Sequence, residues 1–326
     1  MNAPGDPSFQ ATQPTFMTYA PMTFGQALDR VFRLLKAHWK LFLAIATVPA
    51  ATYAIFFGCF FAFVLVAVQP WSQPNPAKLI AHIGLLMTLM AIGELATLAA
   101  YALYQPAASY AALQADAGVS VSFRDAYARA WSRFGRYLWL LILKCLILMA
   151  PILVFAAIVG GTLLVSQHGR VDPNAAFLLF PMIMVLYALS AAYMIVAMIW
   201  MAFSYPVSIA EDLTAAASIS RSVKLTKGAR VKIFLLALVI YAICYAASLA
   251  IECVLVVVIG VIVLAGIALH LAMNPWGFVG IGIGAICFFV LFFFWTACFS
   301  AAYSSTFAVL YRNQRLCEQR TGPTLT

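Results

Sequence analysis

The sequence predicts an all-α polytopic membrane protein of about six transmembrane helices in three parallel repeats, each an amphipathic interfacial helix followed by a helical hairpin. Three observations predict it. Of 326 residues, 65% are hydrophobic and 9% are charged. Six apolar runs are long enough to cross a bilayer. One pattern of cap residue, arginine and apolar bulk recurs three times. Soluble domains carry roughly 25% charged residues because their surfaces face water, so a chain this poor in charge presents its surface to lipid. The same composition excludes a largely disordered chain. The net charge is +9, but the basic residues flank apolar runs and no nucleic-acid-binding motif occurs. Membrane lipids, anionic ones above all, are therefore the expected partner rather than nucleic acid.

Residues 1–22 are rich in Pro, Thr and Gln and lack the basic and apolar regions of a signal peptide. They read as a disordered cytoplasmic tail. A single membrane domain follows over 23–311, with repeats 23–113, 122–210 and 214–311, and then a tail over 312–326. A span needs ~20 apolar residues to cross the hydrocarbon core. Six runs qualify: 41–69, 79–104, 137–166, 176–205, 231–259 and 277–310. Residues 260–276 are also apolar, and either prolong the fifth helix or form an outer-surface segment.

Orientation follows from the basic residues of the loops. One side holds Arg30, Arg33, Lys36, Lys40, Arg124, Arg129, Arg133, Arg136, Arg221, Lys224, Lys227, Arg230, Lys232, Arg312, Arg315 and Arg320, with Lys144 just inside span 3. The other side holds only Lys78 and Arg170. The expectation is a multi-pass protein of the cell membrane, the inner membrane of a bacterium, with both termini cytoplasmic. Trp71 and Trp276 fall at the outer interface, and Trp39, Trp131 and Trp139 at the inner one.

The copies begin TFGQALDRVFRLLKAHWK (23–40), SFRDAYARAWSRFGRYLW (122–139) and TAAASISRSVKLTKGARV (214–231). Thr23, Ser122 and Thr214 take the first position, Arg30, Arg129 and Arg221 the eighth, and Phe32, Trp131 and Val223 the tenth. Thr23 with Gln26, and Ser122 with Asp125, fit a capping box. The third copy has Ala217 in that place, which predicts a weaker cap. In copy two, Asp125, Arg129, Arg133 and Arg136 share one helical face, while Tyr127, Ala130, Trp131, Phe134 and Leu138 cover the other. Asp29, Arg33, Lys36 and Lys40 repeat this design in copy one. A basic face opposite an aromatic face suits a helix lying in the membrane interface. Arg30, Arg33, Lys36, Arg129, Arg133, Arg136, Arg221, Lys224 and Lys227 are accordingly the candidate headgroup contacts. A pure topology signal is the competing reading.

The stretch from Ser220 to Gly228 (SRSVKLTKG), together with TFGQALDRVFRLLKAHWKLFL at the start, resembles the membrane domain found in some glycerophosphoryl diester phosphodiesterases and in related six-span bacterial proteins. In the fused members a separate soluble barrel performs the hydrolysis. No such barrel is present here, since only a short segment follows span 6. The resemblance therefore implies a membrane location and phospholipid-related biology, without implying hydrolysis.

Ionisable residues inside spans are functional candidates. Glu94 in span 2 and Glu252 in span 5 are the two, at depths differing by ~10 Å along the helix rise, so they do not form a carboxylate pair. A transporter or lipid-translocating protein with Glu94 in a membrane cavity is the alternative to a non-enzymatic lipid-contacting protein. His82 and His270 lie near outer span ends without a second ligand at metal spacing. The seven cysteines contain no CxxC, and no metal, cofactor or catalytic motif is expected. Gly277, Gly280 and Gly284 form a small-residue stripe suited to helix packing or to a homo-oligomer or other membrane-protein contact. Pro106 and Pro206 are expected to bend the chain toward the next interfacial helix.

Overall fold

The computed structural model describes residues 22–68, 76–166, 173–268, 295 and 298–319. The described chain is helical throughout, with no strand. In order the helices are α1 (Phe24–Val68), α2 (Pro76–Asp116), α3 (Phe123–Trp131), α4 (Phe134–Ser166), α5 (Pro173–Trp200), α6 (Ser204–Ala210), α7 (Ala215–Thr226) and α8 (Arg230–Ala268). A further helix, α9, covers 298–319. Five of the described helical segments are long and apolar enough to cross a membrane: Phe24–Phe56, Ile83–Asp116, Phe134–Ile158, Pro181–Ala210 and Arg230–Ala250. The protein is thus an all-α, multi-pass membrane protein. Most of the expected sixth span, with Gly277, Gly280 and Gly284, lies outside the described residues, as do Trp71 and Trp276. The fifth helix continues unbroken through Ala268, so the first part of the 260–276 segment prolongs it.

Each of the three aligned segments is a helix followed by a break and a long apolar helix. In α1 the break is a kink at His38, whose φ of −121° and ψ of 20° leave the helical region. Between α3 and α4 it is a turn at Ser132 and Arg133. Between α7 and α8 it is a turn through Gly228, whose φ of +89° only glycine adopts without strain. The caps follow their sequences. The Asp125 N–H donates to Ser122 Oγ at 3.2 Å, and the Ser122 N–H donates back to the Asp125 carboxylate at 3.2 Å. Thr23 and Gln26 exchange the same two bonds at 2.9 and 3.4 Å. Thr214 makes no side-chain cap, because Ala217 offers nothing in return.

Hydrogen bonding from Ser122 holds the Asp125 carboxyl below the usual carboxylate range. A depressed pKa means that the stabilisation is present above the unfolded value and is lost as pH falls through the folded one. Ser122→Ala is therefore expected to lower stability at neutral pH. In thermal unfolding, the gap between wild type and variant should narrow as pH drops below about 4.

The prolines act differently from one another. Pro106 is fully buried inside α2, which runs on to Asp116. It does not end the helix. Pro206 sits in the first turn of α6, just after the break at 201–203. There its missing N–H leaves no helical bond unmade.

The core gathers toward the basic end of the bundle. Val31, Leu34, Phe203, Val207, Leu225, Ile233, Leu236, Val309 and Tyr311 form one buried cluster. A second is built largely from alanines, among them Ala107, Ala108, Ala111, Ala112, Ala126, Ala130 and Ala308. Small side chains let helix backbones approach closely, which is how helices associate where lipid is as apolar as leucine. Away from that end, large apolar residues such as Leu153, Val154, Val185, Tyr187 and Leu189 are exposed, as a lipid-facing surface requires.

Among the described glycines, Gly93 is the one that packs closely against a neighbouring helix. A Cβ there would fall 1.9 Å from Phe56 Cδ2 and 2.7 Å from its Cγ. The ring is buried and its root cannot swing aside. Gly93→Ala is expected to part α1 from α2 at a cost of about 2 kcal/mol. Measured in detergent, a melting temperature equal to wild type would contradict this.

Candidate functional site

The basic end is organised by its carboxylates. Asp116 closes α2 with its side chain only 3% exposed. Arg30 Nε donates to Oδ1 at 2.6 Å, and Arg312 donates to Oδ2 at 3.1 Å. The same two guanidinium groups also donate to the Asp116 carbonyl, at 3.3 and 2.6 Å. They thereby satisfy an orphan carbonyl of the last helical turn and complement its dipole. A cleft of about 420 Å³ opens beside this clamp, lined by Arg30, Arg33, Leu34, Ala37, His38 and Asp116 among others.

The other two copies do the same with different residues. Arg221 of α7 holds Glu318 of α9 through two bonds at 2.8 and 2.6 Å, and Glu211 through a third at 3.1 Å. The bond to Glu318 raises the Arg221 guanidinium above its ordinary value. Glu211 also accepts the Tyr311 hydroxyl at 3.1 Å. Arg133 and Arg136, on either side of the α4 N-terminus, both pair with Asp212, the latter at 2.6 Å. Asp212 adopts a φ of +54°, a conformation that aspartate tolerates better than most residues. In the first and third repeats, then, the leading helix is tied to an acid near the end of that repeat's second span, while in the second the tie to Asp212 comes from Arg133 and Arg136, which follow α3. The tail is stitched in as well: the Met22 N–H donates to Asn313 Oδ1 at 3.0 Å, and Lys232 donates to the Met22 carbonyl.

The expected headgroup contacts therefore divide into two sets. Arg30, Arg133, Arg136 and Arg221 are engaged internally. Arg33 is exposed and pairs with Asp29 at 2.9 Å along its own helix. Lys36, Arg129, Lys224 and Lys227 are exposed and form no ion pair among the described residues. Lys40 and Arg230 are exposed too, their cations lying 5.8 and 5.3 Å from the ring centroids of Trp39 and Trp200. Beside these cations stand exposed Trp39, Trp131, Trp139, Phe32 and Phe123.

Glu94 lies next to Gly93 on α2 and is itself exposed; no described residue encloses it. Tyr53 of α1 is a neighbour of Glu94. Glu252 falls within α8, but its side chain lies outside what is described. The carboxylates at the ends of the second spans belong to no motif in the sequence. Their signal was positional: Asp116, Glu211 and Glu318 each close a unit. Among the described residues no group of His, Cys, Asp and Glu is placed to hold a metal ion.

The chain matches no protein family, no curated relative and no solved structure.

Proposed function

We propose that this integral membrane protein is non-enzymatic and acts through contact of its basic layer with anionic lipid. The layer faces the cytoplasm of a bacterial cell, with both termini on that side. One observation carries the reading. Every described carboxylate of the layer (Asp29, Asp116, Asp125, Glu211, Asp212 and Glu318) is already engaged within the protein. The exposed Lys36, Arg129, Lys224 and Lys227 are left to find their anions outside it. Exposed tryptophans at the same level support a headgroup setting, because indoles favour the membrane–water boundary. The basic bias of these segments supports the orientation. The resemblance of the first and third copies to a phospholipid-associated membrane domain points the same way.

The test uses nanodiscs of mixed phosphatidylglycerol and phosphatidylcholine, with the lipid bound around the released protein counted by native mass spectrometry. A basic residue near an anionic leaflet contributes about 1 kcal/mol. Arg129→Gln should thus reduce phosphatidylglycerol enrichment several-fold, and joint replacement of Lys36, Arg129, Lys224 and Lys227 by Gln should abolish it while the melting temperature holds. Unchanged enrichment in the joint variant would refute the proposal.

A further inference from the structure

Beneath the basic layer lies a second polar cluster that the layer does not use. Lys144 of α4 sits in a span, with its Nζ 4.7 Å from the centroid of the Tyr205 ring in α6. Tyr205 packs with Tyr137, Leu140 and Leu143 of α4 and is buried. Its hydroxyl has no hydrogen-bond partner among the described residues, and neither do the buried Oγ atoms of Ser304 and Ser305 in α9. Tyr303, adjoining these serines, is a neighbour of Tyr205.

The depths agree. At 1.5 Å per residue, Lys144 lies about 12 Å along its helix from Arg136, Tyr205 about 9 Å from Glu211, and Ser304 about 12 Å from Arg312. Three helices thus bring a cation and three orphan oxygens to one level. Buried polar atoms are nearly always hydrogen-bonded, so three exceptions at one depth require an explanation. A lysine within a span is costly and marks a ligand or ion path. It has no internal counter-ion here, since the described carboxylates of the basic end are all engaged above it.

We infer that Lys144, Tyr205, Ser304 and Ser305 form a buried site for an oxyanion of the phosphate class, either a lipid phosphate drawn below the basic layer or free phosphate. Lysine serves phosphate as a point charge. The Tyr205 ring steadies the cation, and the three hydroxyls are the donors that an oxyanion needs. None of the exposed bases of the surface layer belongs to the site, so the two readings stand or fall separately.

The experiment follows thermal unfolding of the full chain in neutral detergent. One arm adds inorganic phosphate, a second adds short-chain phosphatidic acid, and sodium chloride matches the ionic strength. Wild type should be stabilised by at least one probe, and which one identifies the source of the anion. Lys144→Met should raise the melting temperature of the empty protein, because it removes an unpaired charge. It should also weaken the probe at least about tenfold, the loss of a hydrogen bond to a charged group. Tyr205→Phe should weaken it by less. Absence of stabilisation in wild type, or an equal response in Lys144→Met, would overturn the inference.

Discussion

Asp116→Asn is expected to cost about 3 kcal/mol, the lower end of the range for breaking a buried ion pair. The variant keeps the shape of the side chain and removes the charge that two guanidinium groups share. Arg30 and Arg312 then face each other across an amide that can accept from them only weakly. Their own side chains are 31% and 41% exposed, so each can turn partly to water, which is why the upper end of the range is not expected. The bonds to the Asp116 carbonyl also weaken, since the arginines no longer have a reason to stay. Unfolding in a denaturing-detergent titration would measure the loss. Adding Arg30→Gln to the variant should recover part of it, because one of the two facing charges is gone. Strict additivity of the two substitutions would contradict the clamp.

Phe203→Ala should be about as damaging, at roughly 4 kcal/mol, the cost of emptying a buried aromatic site. The ring is 0% exposed and sits 6.5 and 6.2 Å from the rings of Phe307 and Tyr311. Its backbone N–H donates to Ser222 Oγ at 3.1 Å, and that hydroxyl donates to the Trp200 carbonyl at 2.7 Å. Phe203 therefore occupies the joint where α5, α6, α7 and α9 meet. The Arg221, Glu211 and Glu318 group depends on that joint for its spacing. Loosening it should also make Arg221→Gln less costly in the Phe203→Ala background than in wild type. Thermal unfolding of the two single variants and the double variant would show this.

These two residues mark what the sequence makes legible and what it does not. Composition and the apolar runs define a lipid-facing helical protein, because a charge-poor surface has only one compatible solvent. The capping boxes at Thr23 and Ser122, and the poor cap at Thr214, are equally readable, since each depends on residues three apart. The recurring arginines are readable as positions, but their partners are not. Arg30 meets Asp116 across 86 residues and Arg221 meets Glu318 across 97, and one-dimensional spacing carries no information about such pairings. Lys144 illustrates the same limit. As a charge near a span end it reads as a topology signal, and only the structure shows that its cation lies over the buried Tyr205 ring, whose hydroxyl is unpartnered among the described residues.

The central claim is that the three leading helices lie in the membrane interface, those of the first two copies with their aromatic side chains at headgroup depth. Trp131, 68% exposed and next to Arg129 and Arg133, tests it most directly. In a variant whose other tryptophans are replaced by phenylalanine, its fluorescence should be quenched by lipids brominated along the acyl chain. Quenching should be strongest for bromine nearest the headgroup and should fall steadily with depth. Strongest quenching at the bilayer centre, or none at any depth, would contradict the account.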